Sequence, residues 1–154
     1  LDWTASVWDL DSLEFLLNYS VPFIKIPSAL ITNKELVSEC AKSGVQIIMS
    51  SGMSTLKEVD EAFNIIKKYS SKNPVLMHTN SSYPTPRKEL NLALIPFYKE
   101  RYNCTIGYSG HEPDLEPTVI AVSLGAKVIE RHITLSHSLW EWISLEKDVL
   151  TCKK

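Results

Sequence analysis

Cysteine is scarce in this sequence: three residues, Cys40, Cys104 and Cys152, are spread over 154 positions. Three are too few and too scattered for a disulfide framework, and no pair has the C-x-x-C spacing of a zinc site, so a reducing cytoplasm is the default expectation. Charge of one sign is also missing. Sixteen Lys and Arg against eighteen Asp and Glu give a net charge of -2, with no block of like charge, which excludes bulk attraction to nucleic acid or to an anionic membrane. No run of membrane-spanning length stands in the sequence, and its opening residues do not read as a signal peptide. The chain opens at Leu1 in mid-pattern without an initiator methionine and stops at Lys154 inside what reads as a helix start, so both ends read as cuts. What remains, at 44% hydrophobic and 22% charged residues, is the composition of an ordinary globular protein with one core, whose partners are small molecules or other protein chains.

Apolar runs of strand length alternate with segments of helical period. An extended start, "LDWTASVW", leads into a helix over 9–19 with Leu10, Leu13, Leu16 and Leu17 on one face. "VPFIKIPS" reads as a strand, 33–43 as a helix capped by Gly44, and "VQIIMSSG" as the next strand. Thr55 and Glu58 form a capping box for a helix running to about Tyr69. "PVLMHTN" is a strand, a Pro-rich loop at Pro84 and Pro86 leads to a short helix over 95–101, "CTIGYSG" is a strand, 117–125 a helix, and "AKVIERHIT" the sixth strand. This alternation predicts an α/β fold of six parallel strands in one domain.

Polar residues cluster after the apolar part of every strand: Ser6; Lys25 and Ser28; Ser50 and Ser51; His78 to Ser82; Ser109 and His111; Glu130 and His132. In parallel α/β proteins the C-terminal strand ends form the ligand-binding rim. His111 and His132 have the chemistry of a divalent-metal pair, or each is a histidine satisfied by a backbone carbonyl. Lys25 is an anion ligand or an outward-facing lysine. Ser6, Ser28, Ser50 and Ser109, with "SSGMSTL" leading into a helix N-terminus, describe a phosphate cradle together with Lys25, or each serine serves as a turn or cap residue. Strand alternation puts Glu130 on the side of His132 and turns Arg131 toward the surrounding helices. Glu130 then orients an imidazole, moves a proton, or forms a salt bridge.

"KIPS", "MSSGMSTL", "SSYPTP", "IGYSGHE" and "VIERHITL", in this order and spacing, resemble the N-acetylneuraminate (sialic acid) synthase family, and "WTASVWDLDSLEFL" is similar to that family's preceding strand and helix. The resemblance covers nearly the whole chain. It implies a TIM (β/α)8 barrel, here incomplete, with the six strands matching barrel strands three to eight. It also implies a transferase that condenses phosphoenolpyruvate with N-acetylmannosamine or a related N-acyl amino sugar and releases phosphate. By the same resemblance His111 and His132 bind Mn2+ or Mg2+. Lys25, Ser28, Ser50 and Ser109, with Ser6, hold phosphoenolpyruvate; Asn80 or Ser81, with Tyr83, meets the sugar; Glu130 and Lys25 are the catalytic candidates. The full-length form is expected to be a homodimer.

Family members carry two further strands before the segment matching Leu1 and an antifreeze-like domain after Lys154. Six strands leave two unpaired edges where eight would close, so this polypeptide alone is expected to be inactive. After the sixth strand the chain reads "TLSHSLWEWISLE", about three residues short between Trp140 and Ser144, with Glu141 the only nearby carboxylate and His137 reading as a surface histidine. Two other readings follow: a non-catalytic or decayed partial barrel, or a synthase of a related nonulosonic acid or spore-coat polysaccharide.

Overall fold

The computed structural model describes residues 1–134 and 150–151. The chain divides into two compact units, Leu1–Met77 and His78–Lys154.

In the first unit, helix α1 (Leu10–Leu17) starts where the Asp9 carboxylate accepts from the Ser12 amide at 2.7 Å and the Ser12 hydroxyl accepts from the Asp9 amide. Strand β1 (Phe23–Ile26) follows, then α2 (Lys34–Lys42), capped by Asn33, whose side chain accepts from the Leu36 amide. Gly44, at φ 75°, takes the left-handed position just past α2 that a β-carbon would penalise. Strand β2 (Gln46–Ser50) and helix α3 (Leu56–Tyr69) complete the pattern, α3 beginning at the expected Thr55–Glu58 capping box. Helices α2 and α3 pack on each other. Their buried residues, Leu36, Val37, Cys40 and Ala41 on α2 and Val59, Ala62, Phe63 and Ile66 on α3, recur at helical spacing. Burial pushes the Cys40 thiol up to about 12, which leaves it an inert core group.

Strands β1, β2 and the start of β3 (Val75–Thr79) are parallel neighbours in that order, with Lys25 opposite Ile48 and Ser50 opposite Met77. In the second unit, helix α4 (Leu94–Tyr102), strand β4 (Thr105–Ser109), helix α5 (Glu116–Ser123) and strand β5 (Val128–Glu130) follow in sequence; β4 and β5 pair in parallel, and both helices pack on β4.

Five parallel strands in chain order therefore stand where six were expected. The extended start contributes a single bridge, Ser6 with Lys25. "AKVIERHIT" is not one strand: β5 ends at Glu130, and after two residues Ile133–Thr134 (β6) pairs instead with Leu150–Thr151 (β7) in a separate two-stranded sheet. No helix among the described residues is long and apolar enough to cross a membrane.

Within β3, His78 is buried. Its Nε2 bonds the Leu90 carbonyl at 2.8 Å, its Nδ1 has no hydrogen-bond partner, and the rings of Tyr98 and Tyr108 stand 6.2 and 6.0 Å away. Desolvation holds its pKa below the ordinary 6.5, against the raising effect of the Leu90 bond.

Two outcomes follow from this packing. Truncating Ile66, fully buried on α3, to alanine should cost about 2–5 kcal/mol in a urea titration. A histidine whose pKa falls on folding is protonated first in the unfolded chain, so stability should decline as pH drops below about 6.5 toward the folded value. The His78 ring signal in an NMR titration should move below pH 6.5; a midpoint at or above that value contradicts the assignment.

Candidate functional site

Each unit presents its own polar cluster where its strands end. In the first unit, Lys25 lies opposite Ile48 in the β1–β2 register, so alternation puts it on the face that also carries Ser50. The opposite face is filled by Ile24, Ile26, Ile47 and Met49, all fully buried. Lys25 and Ser50 are themselves 8% and 3% exposed, and the Ser50 hydroxyl has no hydrogen-bond partner. A buried hydroxyl without a partner, on the face that also carries a buried lysine, is a group an anionic ligand would satisfy.

The other serines of this unit have local employment. Ser28 Oγ accepts from the Gly52 amide at 3.0 Å and ties down the "SSGMSTL" turn, where Met53 takes a left-handed φ of 58°. The Ser51 amide and hydroxyl both donate to the Met77 carbonyl at 3.0 and 3.1 Å, and Ser6 is exposed. At the start of α3 the Glu58 carboxylate accepts from the Thr55 amide at 2.7 Å and from its hydroxyl at 2.8 Å. The N-terminus read as a phosphate site thus already holds a carboxylate of its own, which the helix dipole favours there.

In the second unit the two histidines come together. His111 follows β4 and His132 follows β5; their ring centroids are 5.2 Å apart, with planes inclined at 56°. Both are half-buried. His111 Nδ1 lies 2.7 Å from the Asn80 carbonyl oxygen, which can only accept, so Nδ1 carries the proton and the lone pair of the neutral ring sits on Nε2. The Thr85 amide donates to the His111 carbonyl at 3.1 Å, holding the backbone as well. Burial lowers the His111 pKa below 6.5, outweighing the Asn80 bond and the Glu130 and Glu112 charges that raise it, so the imidazole is neutral at pH 7.

Tyr83 joins the pair. Its ring is edge-on to His111 at 5.3 Å and tilted against His132 at 5.1 Å, and its hydroxyl bonds His132 Nδ1 at 2.7 Å. Of the two candidate neighbours in that loop, Asn80 has its side chain committed, donating to the Glu89 carbonyl and accepting from the Ser82 amide. The half-buried Ser81 hydroxyl has no such bond.

The three ionisable residues after β5 have separate duties. Glu130 Oε1 accepts from the Ser109 hydroxyl at 2.7 Å, which gives Ser109 a carboxylate partner. Arg131 has a different partner from Glu130: its guanidinium donates to the Glu112 carboxylate and to the Glu112 backbone carbonyl, with both side chains almost fully buried. Tyr108 Oη donates to the other Glu112 oxygen at 2.7 Å, and burial together with that bond raises the phenol's pKa and keeps it protonated. Sequence reasoning missed Glu112, Tyr108 and Gly110. The available signal was a carboxylate directly after one histidine and a guanidinium directly before the other.

No cluster of three or more His, Cys, Asp or Glu side chains suited to a metal is present among the described residues. Two imidazoles, one with its lone pair directed to Nε2, fit a divalent ion with two protein ligands and otherwise small-molecule oxygen ligands. The shortened segment between Trp140 and Ser144, Glu141 and His137 lie outside the described residues.

The model of the NeuB family matches residues 1–151. The chain is 41% identical over 139 residues to an N-acetylneuraminate-9-phosphate synthase of Drosophila melanogaster, covering 90% of this chain and 37% of that protein. It is 37% identical over 137 residues to an N,N'-diacetyllegionaminic acid synthase of Campylobacter jejuni, covering 88% and 41%. The chain thus spans about two fifths of the length of these curated relatives. A crystal structure of the N-acetylneuraminic acid (sialic acid) synthetase of Leptospira borgpetersenii in complex with citrate superimposes with a TM-score of 0.89 at 32% identity, covering 95% of this chain and 50% of the other. With the family model spanning nearly every residue and the shared fold beside it, this chain belongs to the NeuB family of sialic acid synthases.

Proposed function

We propose that this chain contributes the phosphoenolpyruvate-binding and metal-binding residues of a synthase that joins phosphoenolpyruvate to an N-acylated amino sugar, N-acetylmannosamine or a close relative, and releases phosphate within a TIM-barrel enzyme. The observation that carries this reading is the approach of His111 and His132, 21 positions apart in sequence, to a ring separation of 5.2 Å. Family membership supports the reaction class, since the relatives matched are synthases of N-acetylneuraminate 9-phosphate and of a legionaminic acid.

His111 and His132 would hold Mn2+ or Mg2+. When bound there, such an ion supplies Lewis-acid polarisation of a substrate carbonyl. The protein's residues do the rest. Lys25 and Ser50 receive the anionic phosphoenolpyruvate, an ammonium and a hydroxyl donor on one face of β1 and β2 that need no reorganisation as charge shifts toward the departing phosphate. Ser28 keeps a hydroxyl hydrogen to donate while its oxygen holds the Gly52 amide. Glu130, whose Oε1 is oriented by Ser109, is the carboxylate placed to accept a proton. Ser81 is the sugar-contact candidate, because its hydroxyl is uncommitted while Asn80's amide is engaged in its own loop. Tyr83, bonded to His132, serves the histidine pair first and meets the sugar only through its ring or the remaining capacity of its hydroxyl.

The gene product carrying this chain should release inorganic phosphate from phosphoenolpyruvate only when Mn2+ and an N-acylmannosamine are both present. His132→Ala should lower that rate by about 100-fold or more, the scale expected when a group acting on the reacting carbonyl is lost. Release that needs no amino sugar, or that survives His132→Ala intact, would overturn the proposal.

A further inference from the structure

We infer that the buried Glu112–Arg131 ion pair, seated across Gly110, is the positioning element that sets His111 beside His132. The β4–β5 ladder ends at Ser109 opposite Glu130, and beyond that point the two segments are no longer paired with each other as strands. Side chains take over where the ladder stops. The Gly110 amide donates to the Glu130 carbonyl at 3.2 Å and the Ser109 hydroxyl to the Glu130 carboxylate at 2.7 Å. One residue further, Arg131 grips Glu112 twice, through the carboxylate and through the backbone carbonyl.

This double grip matters because of where the two residues stand. Glu112 directly follows His111, and Arg131 directly precedes His132. A planar guanidinium that bonds both the side chain and the main chain of one residue fixes that residue's orientation as well as its distance, which a point charge does not. The Glu112 carboxylate has its second oxygen engaged by Tyr108, so it is spoken for on both sides and acts on the histidines through the backbone, not as a ligand.

Gly110 makes the crossing feasible. A β-carbon there would lie 2.7 and 2.9 Å from the two Glu112 carboxylate oxygens and closer still to Arg131 Nη1. Any side chain at this position would displace the pair from between the two segments.

The consequence for metal binding rests on the ligand-pair reading above; the spatial claim does not. The experiment uses the 154-residue chain and its Glu112→Met/Arg131→Leu double variant, in which an apolar pair of similar volume replaces the buried charges without leaving one unpaired. The first readout needs no metal: a nuclear Overhauser contact between the ring protons of His111 and His132. It should be present in the parent and lost in the folded double variant. Mn2+ affinity by calorimetry should then fall about 10- to 100-fold, the usual effect of removing groups that orient ligands from behind. Should the double variant fail to fold, Arg131→Lys carries the same readout, since it keeps the charge and loses the fork; it should weaken the ring contact and the affinity together. A folded variant that keeps the ring contact overturns the inference. A parent that shows the ring contact but takes up no Mn2+ would refute the metal reading alone.

Discussion

Taking a carboxylate and a guanidinium out of water costs several kcal/mol per ion, and the cost is recovered only where each is met by its opposite with its hydrogen-bonding capacity filled. Glu112 meets that demand, with Arg131 on one carboxylate oxygen and Tyr108 on the other, and Arg131 meets it through two of its three nitrogens. Breaking one side of such a pair typically costs about 3–5 kcal/mol, because the survivor stays buried and charged. The constraint reaches beyond stability. The pair joins the residue after His111 to the residue before His132, whose rings stand 5.2 Å apart. Arg131 Nε is buried without a partner, a sign that this geometry is set by the fork's two inner contacts even at the expense of its third donor.

The helices were readable in advance. Apolar stripes at helical spacing and the Thr55 and Gly44 caps placed α2 and α3 to within a residue or two, because helix formation draws on signals local in sequence. Strand positions were equally visible, but strand ends were not. "AKVIERHIT" has the apolar content of a nine-residue strand, yet only Val128–Glu130 pairs with β4, and Arg131 is bonded to Glu112, nineteen positions back, a partner no local pattern reveals. The opening segment likewise looks extended and contributes one bridge.

The site shows the same division. His111 and His132 could be picked out because an imidazole after an apolar strand is uncommon and chemically loaded. The partner of Tyr83 could not, since its bond to His132 spans 49 positions. Hydroxyls proved the least legible groups. A serine at a strand end reads the same whether it faces a ligand or a neighbour: Ser109 donates to Glu130, Ser28 holds the Gly52 amide, Ser6 is exposed, and the buried Ser50 hydroxyl lacks a partner. The anion-binding reading of the first unit therefore rests on Lys25 and Ser50, two groups whose shared face is fixed by strand register.

Whether the histidines act as a ligand pair is open to direct spectroscopy. In a pulsed electron paramagnetic resonance experiment on the chain loaded with Mn2+ and labelled with 15N-histidine, the proposed pair requires couplings from two imidazole nitrogens to one manganese, reduced to one in His132→Ala. Manganese that shows only water protons and no histidine coupling would contradict it.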